Sequence, residues 1–298
     1  FNYHRIGDAD KSQFDRAVFS CDKQAFEQQI IELKSHFKII NTVELARLIE
    51  CDEIVSDRFA VLTFDDGYLD NYSEALPILI KHKVSGVFYL TTEYLEPNKI
   101  TWWDEIAYIL RKSHGMKYQL SNNALQYNLN KDDIDKVIQR VLTDIKLIKN
   151  LSIVDVLEDI RAKFPLARKE LLAEEHQLFM GWKEAKDLVV QGMEIGSHTL
   201  THPILSQLDP VQHEKEIVDS KLILEECLNC KINSIAYPVG RYYCYNQKSF
   251  EYSVSAGYKI GFNNELGFHR SISNSLDINR FSVSTNDINY LKYECCFT

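Results

Sequence analysis

Two short segments, far apart in the sequence, carry the residue types that could do chemistry. Asp65 and Asp66 are adjacent in LTFDDGY, and His198 and His202 are four residues apart in GSHTLTHP. Two imidazoles and one carboxylate are enough to hold a divalent metal ion and leave a position open for water. The second carboxylate then stays free to act as a base. The chemistry that these residues predict is metal-assisted hydrolysis.

Each segment has a simpler explanation when it is taken alone. Asp-Asp-Gly is common in hydrogen-bonded turns, although Gly67 also permits the sharp turn that would bring two carboxylates to one centre. A spacing of four places two imidazoles on one helical face or across one tight turn. Gly196 before the histidines and Pro203 after them indicate a shaped loop.

Runs rich in β-branched and aromatic residues alternate with helical patterns along most of the chain. The predicted strands span residues 1–6, 59–64, 84–90, 193–197, 234–237, 258–262 and 280–283. The clearest predicted helices span residues 182–191, 210–228 and 246–256. Short strands separated by helices of about ten residues imply parallel pairing, so an α/β barrel, complete or distorted, is expected.

The chemical residues stand where predicted strands end. Asp65 and Asp66 end one strand, His198 ends another and residues 238–240 follow a third. In α/β barrels the carboxyl ends of the strands meet at one mouth, where functional residues lie. The sequence therefore predicts that these residues share one site.

Residues 102–180 break the alternation of strands and helices. We interpret the chain, residues 1–298, as a single domain with a helical insertion at about 102–180. Such an insertion at a barrel mouth shapes a substrate cleft or contacts a partner. The alternative is a solvated helical cap without a chemical role.

Composition excludes some classes of function. The formal net charge of −9 argues against nucleic-acid binding, which needs clustered Lys and Arg, and favours a neutral or cationic substrate. Apolar runs are strand-sized, so no membrane span is expected. Seven cysteines without a disulfide-like spacing favour a reducing compartment, and we expect the cytoplasm. The chain starts at Phe1 rather than Met, so an upstream leader or anchor stays an open alternative.

Three phrases together resemble the first three motifs of the polysaccharide deacetylase family, also called carbohydrate esterase family 4 or the NodB-homology domain. They are TFDDGY, MEIGSHTLTHPILSQL and IAYPVGRYY, and the similarity extends from YHRI at the start to RFSV near the end. The resemblance implies a distorted (β/α)7 barrel that removes an N-acetyl group from an amino sugar in a polysaccharide or glycan precursor.

Roles follow from the resemblance by position. Asp65 matches the catalytic base, and Asp66, His198 and His202 match the metal-binding triad. Zn is the expected ion, although an Asp-His-His set also suits Co, Ni or Fe. Residues 236–240 match the third motif, in which a backbone N–H near Val239 would hold the oxyanion.

The chain departs from the family pattern at several points. Ala236 stands where many members have an Arg that orients the base, and no clear fourth or fifth motif is present. Arg280 is a candidate to replace the missing Arg. His4 and His269 are candidates for the general acid that protonates the leaving amine. For each histidine, a structural hydrogen bond is the alternative.

Aromatic residues near the predicted mouth are candidates for stacking on sugar rings. The predicted substrate-contacting set is Tyr68, Tyr237, Pro238, Val239 and Gly240. Tyr242 and Tyr243 directly follow the third motif and are further candidates for stacking. Two other functions stay open, a carbohydrate-binding barrel without turnover and a hydrolase of a small non-sugar amide.

Overall fold

The structure is a computed structural model that describes residues 1–51, 58–121, 125–147, 153–269 and 272–294. The chain divides into two compact units. The first contains Phe1–Gly7, Phe19–Lys99 and Gln177–Thr298, and the second contains Asp8–Val18 and Ile100–His176.

The described residues form short strands and mostly longer helices. The strands are β1 (Asn2–Tyr3), β2 (Arg5–Ile6), β3 (Phe19–Cys21), β4 (Lys38–Ile39), β5 (Phe59–Ala60), β6 (Thr63–Phe64), β7 (Val87–Leu90), β8 (Lys117–Gln119), β9 (Gln126–Asn128), β10 (Glu194–Ser197), β11 (Ser234–Ala236) and β12 (Ile260–Phe262). The helices are α1 (Lys23–His36), α2 (Thr42–Cys51), α3 (Leu76–His82), α4 (Trp102–Lys112), α5 (Ile134–Leu147), α6 (Ile153–Lys163), α7 (Pro165–Ala173), α8 (Trp182–Val190), α9 (Pro210–Leu228), α10 (Gln247–Ser255) and α11 (Ile288–Glu294).

The first unit is built on a six-stranded parallel sheet with the order β1-β6-β7-β10-β11-β12. Each edge strand of this sheet makes one parallel bridge to a later segment of the chain. Asn2 of β1 pairs with Ser282, and Phe262 of β12 pairs with Ile278. The segment 278–282 therefore lies between the two edge strands and closes the sheet. This arrangement confirms the predicted distorted α/β barrel.

Side chains of β7 are buried on both faces of the sheet. Phe88 and Leu90 belong to the large core that includes residues of α1, α3 and α9, whereas Val87 and Tyr89 belong to a smaller cluster with Phe262. Burial on both faces explains why this parallel strand is a continuous apolar run rather than an alternating one.

Three predicted strands differ from the observed ones by more than their bounds. The predicted run 1–6 is divided into β1, which pairs with β6, and β2, which pairs with β3. The predicted run 59–64 is divided into β5, which pairs with β4, and β6, which pairs with β1 and β7. The run is interrupted because its two halves pair with different neighbours. The predicted strand 280–283 is present only as the bridge at Ser282.

Helix α9 has the predicted bounds, and its ends explain them. The Asp209 side chain accepts hydrogen bonds from the N–H groups of Val211 and Gln212, and Pro210 occupies the first helical position. The helix ends at Asn229, whose backbone is left-handed with φ 51°. Asn is one of the few residues that tolerate this conformation.

The second unit contains α4 to α7 and the antiparallel hairpin of β8 and β9. It also includes residues 8–18, which lie outside the predicted insertion at about 102–180. Asp15 N–H donates to Asp104 Oδ1 at 3.0 Å and attaches this short segment to α4. Arg161 forms two hydrogen bonds with Glu105, both 2.6 Å long, and joins α6 to α4.

None of the helices among the described residues has the length and apolar character needed to cross a bilayer. Cys21, Cys51, Cys227, Cys230 and Cys244, the described cysteines, form no disulfide. The compartment in which the protein works stays a prediction.

The contact between β7 and β10 leads to a testable prediction about stability. Gly196 is opposite Tyr89, and a Cβ added at Gly196 would lie 2.2 Å from Cε1 of that buried ring. We expect Gly196→Ala to lower the free energy of unfolding by about 1–3 kcal/mol, because the overpacked ring must move. Chemical denaturation measures this change. In a Tyr89→Leu background the same substitution should cost less, and an equal cost in both backgrounds would contradict the explanation.

Candidate metal centre and active site

The predicted site residues lie at the carboxyl ends of neighbouring strands. Asp65 and Asp66 follow β6, His198 follows β10, and residues 238–240 lie just beyond β11. In the sheet, β7 alone separates β6 from β10, and β11 lies beside β10. The strand-end rule for barrels therefore brings the first three motifs to one end of the first unit.

Asp66, His198 and His202 converge on one point. Asp66 Oδ1 lies 3.4 Å from His198 Nε2 and 3.4 Å from His202 Nε2. The three ligand atoms all lie within 4.8 Å of one another. Two ligands held about 2.0–2.1 Å from a tetrahedral ion are about 3.3–3.4 Å apart. These residues therefore fit one divalent metal ion.

The hydrogen bonding of His198 selects the nitrogen that faces Asp66. His198 Nδ1 lies 2.7 Å from the carbonyl oxygen of Ala236, so Nδ1 carries the proton and donates it. The lone pair of the neutral ring is then on Nε2, the atom near Asp66. A metal-binding histidine is commonly oriented in this way.

Strained backbone marks the loops of the site. Asp66, Thr199, His202 and Val239 all have left-handed backbones, with φ between 60° and 73°. For the β-branched residues Thr199 and Val239 this conformation is a genuine outlier. Such strain costs on the order of 1–3 kcal/mol per residue and persists only where surrounding contacts enforce it.

One acidic side chain holds the loop between the two histidines. Glu216 on α9 is buried, and its Oε2 accepts hydrogen bonds from the N–H groups of Leu200 at 2.8 Å and Thr201 at 2.9 Å. Its Oε1 accepts a third bond from the Thr201 hydroxyl at 2.7 Å. Hydrogen bonds to a carboxylate are the stronger kind. Glu216 thus fixes the loop that carries His198 and His202.

Asp65 has different partners from its neighbour. Arg280 donates two hydrogen bonds to Asp65, one from Nη1 to Oδ1 and one from Nη2 to Oδ2, each 2.8 Å long. Asn2 adds a third at 3.0 Å. Burial would raise the pKa of Asp65, but the Arg280 charge and hydrogen bonds, with the nearby imidazoles, hold it well below its ordinary value. Asp65 is therefore an ionised carboxylate.

The structure brings one of the two candidate acids to this carboxylate. His4 Nε2 lies 4.0 Å from Asp65 Oδ2, and a quarter of the His4 side chain is exposed. His269 is exposed, and its Nε2 accepts a hydrogen bond from the backbone N–H of Asn279 at 3.0 Å. A nitrogen that accepts this bond carries no proton to donate. Among the described residues, His4 is the histidine placed for proton transfer beside Asp65.

Two residues of the predicted substrate-contacting set are in the core instead. Tyr68 and Tyr237 are fully buried, with the Tyr68 ring stacked on Phe179 and the Tyr237 ring stacked on Tyr245. No face of either ring is open to a sugar. The structure therefore contradicts the prediction that these two side chains contact the substrate.

The rest of the predicted set forms a fixed loop. Gly240 has φ 66° and approaches Asn264 so closely that an added Cβ would lie 2.6 Å from its backbone nitrogen. The Gly240 carbonyl accepts a hydrogen bond from that nitrogen at 2.8 Å. Pro238 is buried, and within the described part of the chain no acceptor bonds to the N–H of Val239. This donor is available to a ligand.

Sequence reasoning missed two residues that shape the site. Glu216 lies in a buried stripe of α9 that also contains His213, Ile217 and Ser220. An acidic residue at a buried position of a helix needs a partner, so the sequence could have indicated a structural role for Glu216. Asn2 on β1 bonds to Asp65 and also accepts a hydrogen bond from Arg280 at 3.0 Å. Nothing in the pattern around Asn2 distinguishes it.

Comparison with known proteins gives consistent matches. The family model described as polysaccharide deacetylase matches residues 52–261. The putative polysaccharide deacetylase YxkH of Bacillus subtilis (strain 168) is 22% identical over 246 residues, which cover 82% of this chain and 59% of that protein. The chain thus spans about three fifths of the length of this curated relative.

Three solved structures are similar in fold. They are the Streptococcus pyogenes deacetylase PplD in complex with acetate (20% identity, TM-score 0.58, 94% of this chain and 89% of that one), IcaB from Ammonifex degensii (15%, 0.59, 99% and 94%) and a de-N-acetylase from Aggregatibacter actinomycetemcomitans (12%, 0.61, 99% and 98%). At these identities the likeness establishes the fold, which agrees with the predicted distorted (β/α)7 barrel.

The contacts of Glu216 lead to a prediction about metal affinity. We expect Glu216→Ala to weaken Zn²⁺ binding by about 10- to 100-fold, because the loop between the two histidines loses three hydrogen bonds. Calorimetric titration of the metal-free protein with Zn²⁺ measures the affinity. Glu214→Ala is the matched control, since it removes the same charge from an exposed position of the same helix. Equal affinities of the two variants would refute the role assigned to Glu216.

Proposed function

We propose a function from one premise: this chain belongs to the polysaccharide deacetylase family. The proposed activity is metal-dependent hydrolysis that removes N-acetyl groups from an amino sugar in a polysaccharide or glycan precursor. The observation that carries it is the separation of the two aspartates. Asp66 faces two imidazoles at ligand spacing, while Asp65 is held apart by Arg280.

Asp66, His198 and His202 would hold the metal ion. Zn²⁺ is the proposed ion because two histidines and one carboxylate form its usual open catalytic set, although Co, Ni and Fe accept the same ligands. An ion held by these residues would supply Lewis acidity, which polarises an acetamide carbonyl and lowers the pKa of a bound water from about 15.7 towards 7.

Asp65 is the proposed base that accepts the proton of the attacking water. Its ion pair with Arg280 keeps it ionised and fixes its orientation. The low pKa makes Asp65 a weak base, so its contribution is chiefly a correctly placed acceptor. The Val239 N–H is the proposed donor to the oxyanion. Loss of one such donor costs about 2.7–4 kcal/mol in other hydrolases.

His4 is the proposed general acid. Its Nε2 lies 4.0 Å from the carboxylate of Asp65, the proposed base. The His4 side chain is also partly exposed, so it can regain a proton from solvent after each turnover. Protonation of the amine as the C–N bond breaks yields an amino sugar and acetate. The proposed base, acid and oxyanion donor are thus three separate groups, Asp65, His4 and the N–H of Val239.

Acetate release coupled with elemental analysis tests the proposal. We expect Asp66→Ala to lose both the metal and the activity, because it removes a ligand. We expect Asp65→Asn to keep the metal and to lower kcat by about 10²- to 10⁴-fold, because it removes only the base. An Asp65→Asn enzyme with normal turnover would exclude the proposed base.

The same assay separates the two alternative functions. A carbohydrate-binding barrel without turnover would bind an N-acetylhexosamine polymer but release no acetate from it. A hydrolase of small amides would release acetate from a simple acetamide and not from the polymer. Acetate from the polymer, or from a nucleotide- or lipid-linked N-acetyl amino sugar, is the result that the proposal requires.

The assignment of His4 is tested by a pair of variants. We expect His4→Ala to lower kcat by about 10²- to 10⁴-fold with unchanged metal content, because the leaving amine loses its acid. His269→Ala should retain nearly the original rate, since its Nε2 is engaged by Asn279. The opposite ranking of the two variants would transfer the role to His269.

A further inference from the structure

Two adjacent tyrosines beyond the third motif present their rings to solvent. Tyr242 is 76% exposed and Tyr243 is 40% exposed. The rings meet edge to face, with centroids 5.3 Å apart and planes 87° apart. Isolated exposed apolar side chains are ordinary, but a packed pair of exposed aromatic rings beside a site is typical of a binding surface.

Hydrogen bonds hold the backbone that carries these rings. The Tyr242 N–H donates to Glu265 Oε1 at 2.9 Å, and the Tyr243 carbonyl accepts from the Ser206 hydroxyl at 2.6 Å. The Ser206 N–H donates to the next carbonyl, that of Cys244, at 3.0 Å. The tyrosines therefore stand on an anchored loop.

This loop is tied to both chemical segments. Tyr242 is three residues beyond Val239, so their Cα atoms are at most about 10–11 Å apart. Ser206 is four residues beyond His202, so the contact that holds Tyr243 is made by the segment that carries a metal ligand. The aromatic pair is within reach of the neighbours of a sugar that reacts at the site.

Polar groups accompany the rings. Arg241 Nη1 lies 3.3 Å from Glu265 Oε2, and both side chains are partly exposed. A sugar ring has one flat face of C–H groups and a rim of hydroxyls, so an aromatic surface beside an ion pair matches its chemistry.

We propose that Tyr242 and Tyr243 form a glycan platform that binds sugar residues adjacent to the one being deacetylated. The inference rests on the proposed function and narrows its substrate to an oligosaccharide or polysaccharide chain. A single N-acetyl sugar at the metal centre would leave the platform empty.

Kinetics on substrates of different length test the platform. The substrates are N-acetylglucosamine and its β-1,4-linked pentamer. We expect Tyr242→Ala to lower kcat/KM for acetate release from the pentamer by about 3- to 10-fold through KM, and to lower it less for the monosaccharide. Tyr242→Phe should restore most of the loss, because the ring remains. Tyr293→Ala, which removes an equally exposed tyrosine from α11, should leave both rates unchanged.

Binding of the pentamer, measured by calorimetry, separates failure of the platform from failure of the proposed function. Weaker binding by Tyr242→Ala than by Tyr293→Ala supports the platform even if the protein releases no acetate. Equal binding by the two variants, or equal kinetic losses on the pentamer and the monosaccharide, overturns it. Acetate release from neither substrate, with intact pentamer binding, overturns the proposed hydrolysis and not the platform.

Discussion

The site depends on two adjacent carboxylates that point in different directions and contact different partners. Asp65 is bound by Arg280, whereas Asp66 faces His198 and His202. In an extended chain, neighbouring side chains point to opposite sides of the strand. Here the strand ends at Phe64, and the left-handed backbones of Asp66 and Gly67 turn the second carboxylate toward the histidine loop. Arg280 compensates the buried charge of Asp65, and a cation bound by Asp66 and the two histidines would compensate that of Asp66.

The segment that closes the barrel also supplies the side chain that neutralises Asp65. Segment 278–282 bridges β1 and β12, and Arg280 lies in its middle. From there Arg280 reaches Asp65, Asn2 and the carbonyl of Asn263. On the neighbouring side of the site, the backbone carbonyl of Ala236 orients His198. The cation that neutralises Asp65 therefore comes from the closing segment of the barrel.

The sequence predicted the fold and the convergence of three motifs because both follow from a general rule, the meeting of parallel strand ends. The sequence could not predict which side chains beside the site residues are exposed and which are buried. Tyr68 and Tyr237 stand beside chemical residues in sequence, yet both rings turn into the core. The attachment of residues 8–18 to the second unit depends on contacts such as Asp15 with Asp104, far apart in sequence. Local pattern carries no information about such pairings.

The conformation of the histidine loop is specified by protein contacts. Thr199 and His202 have left-handed backbones, and such strain must be offset by neighbouring groups. Glu216 supplies three hydrogen bonds to this loop from a helix whose ends are capped independently. The two imidazoles are thus held near Asp66 at ligand spacing by the fold itself. A site prepared in this way loses less conformational entropy when it binds an ion, so more of the interaction energy appears as affinity.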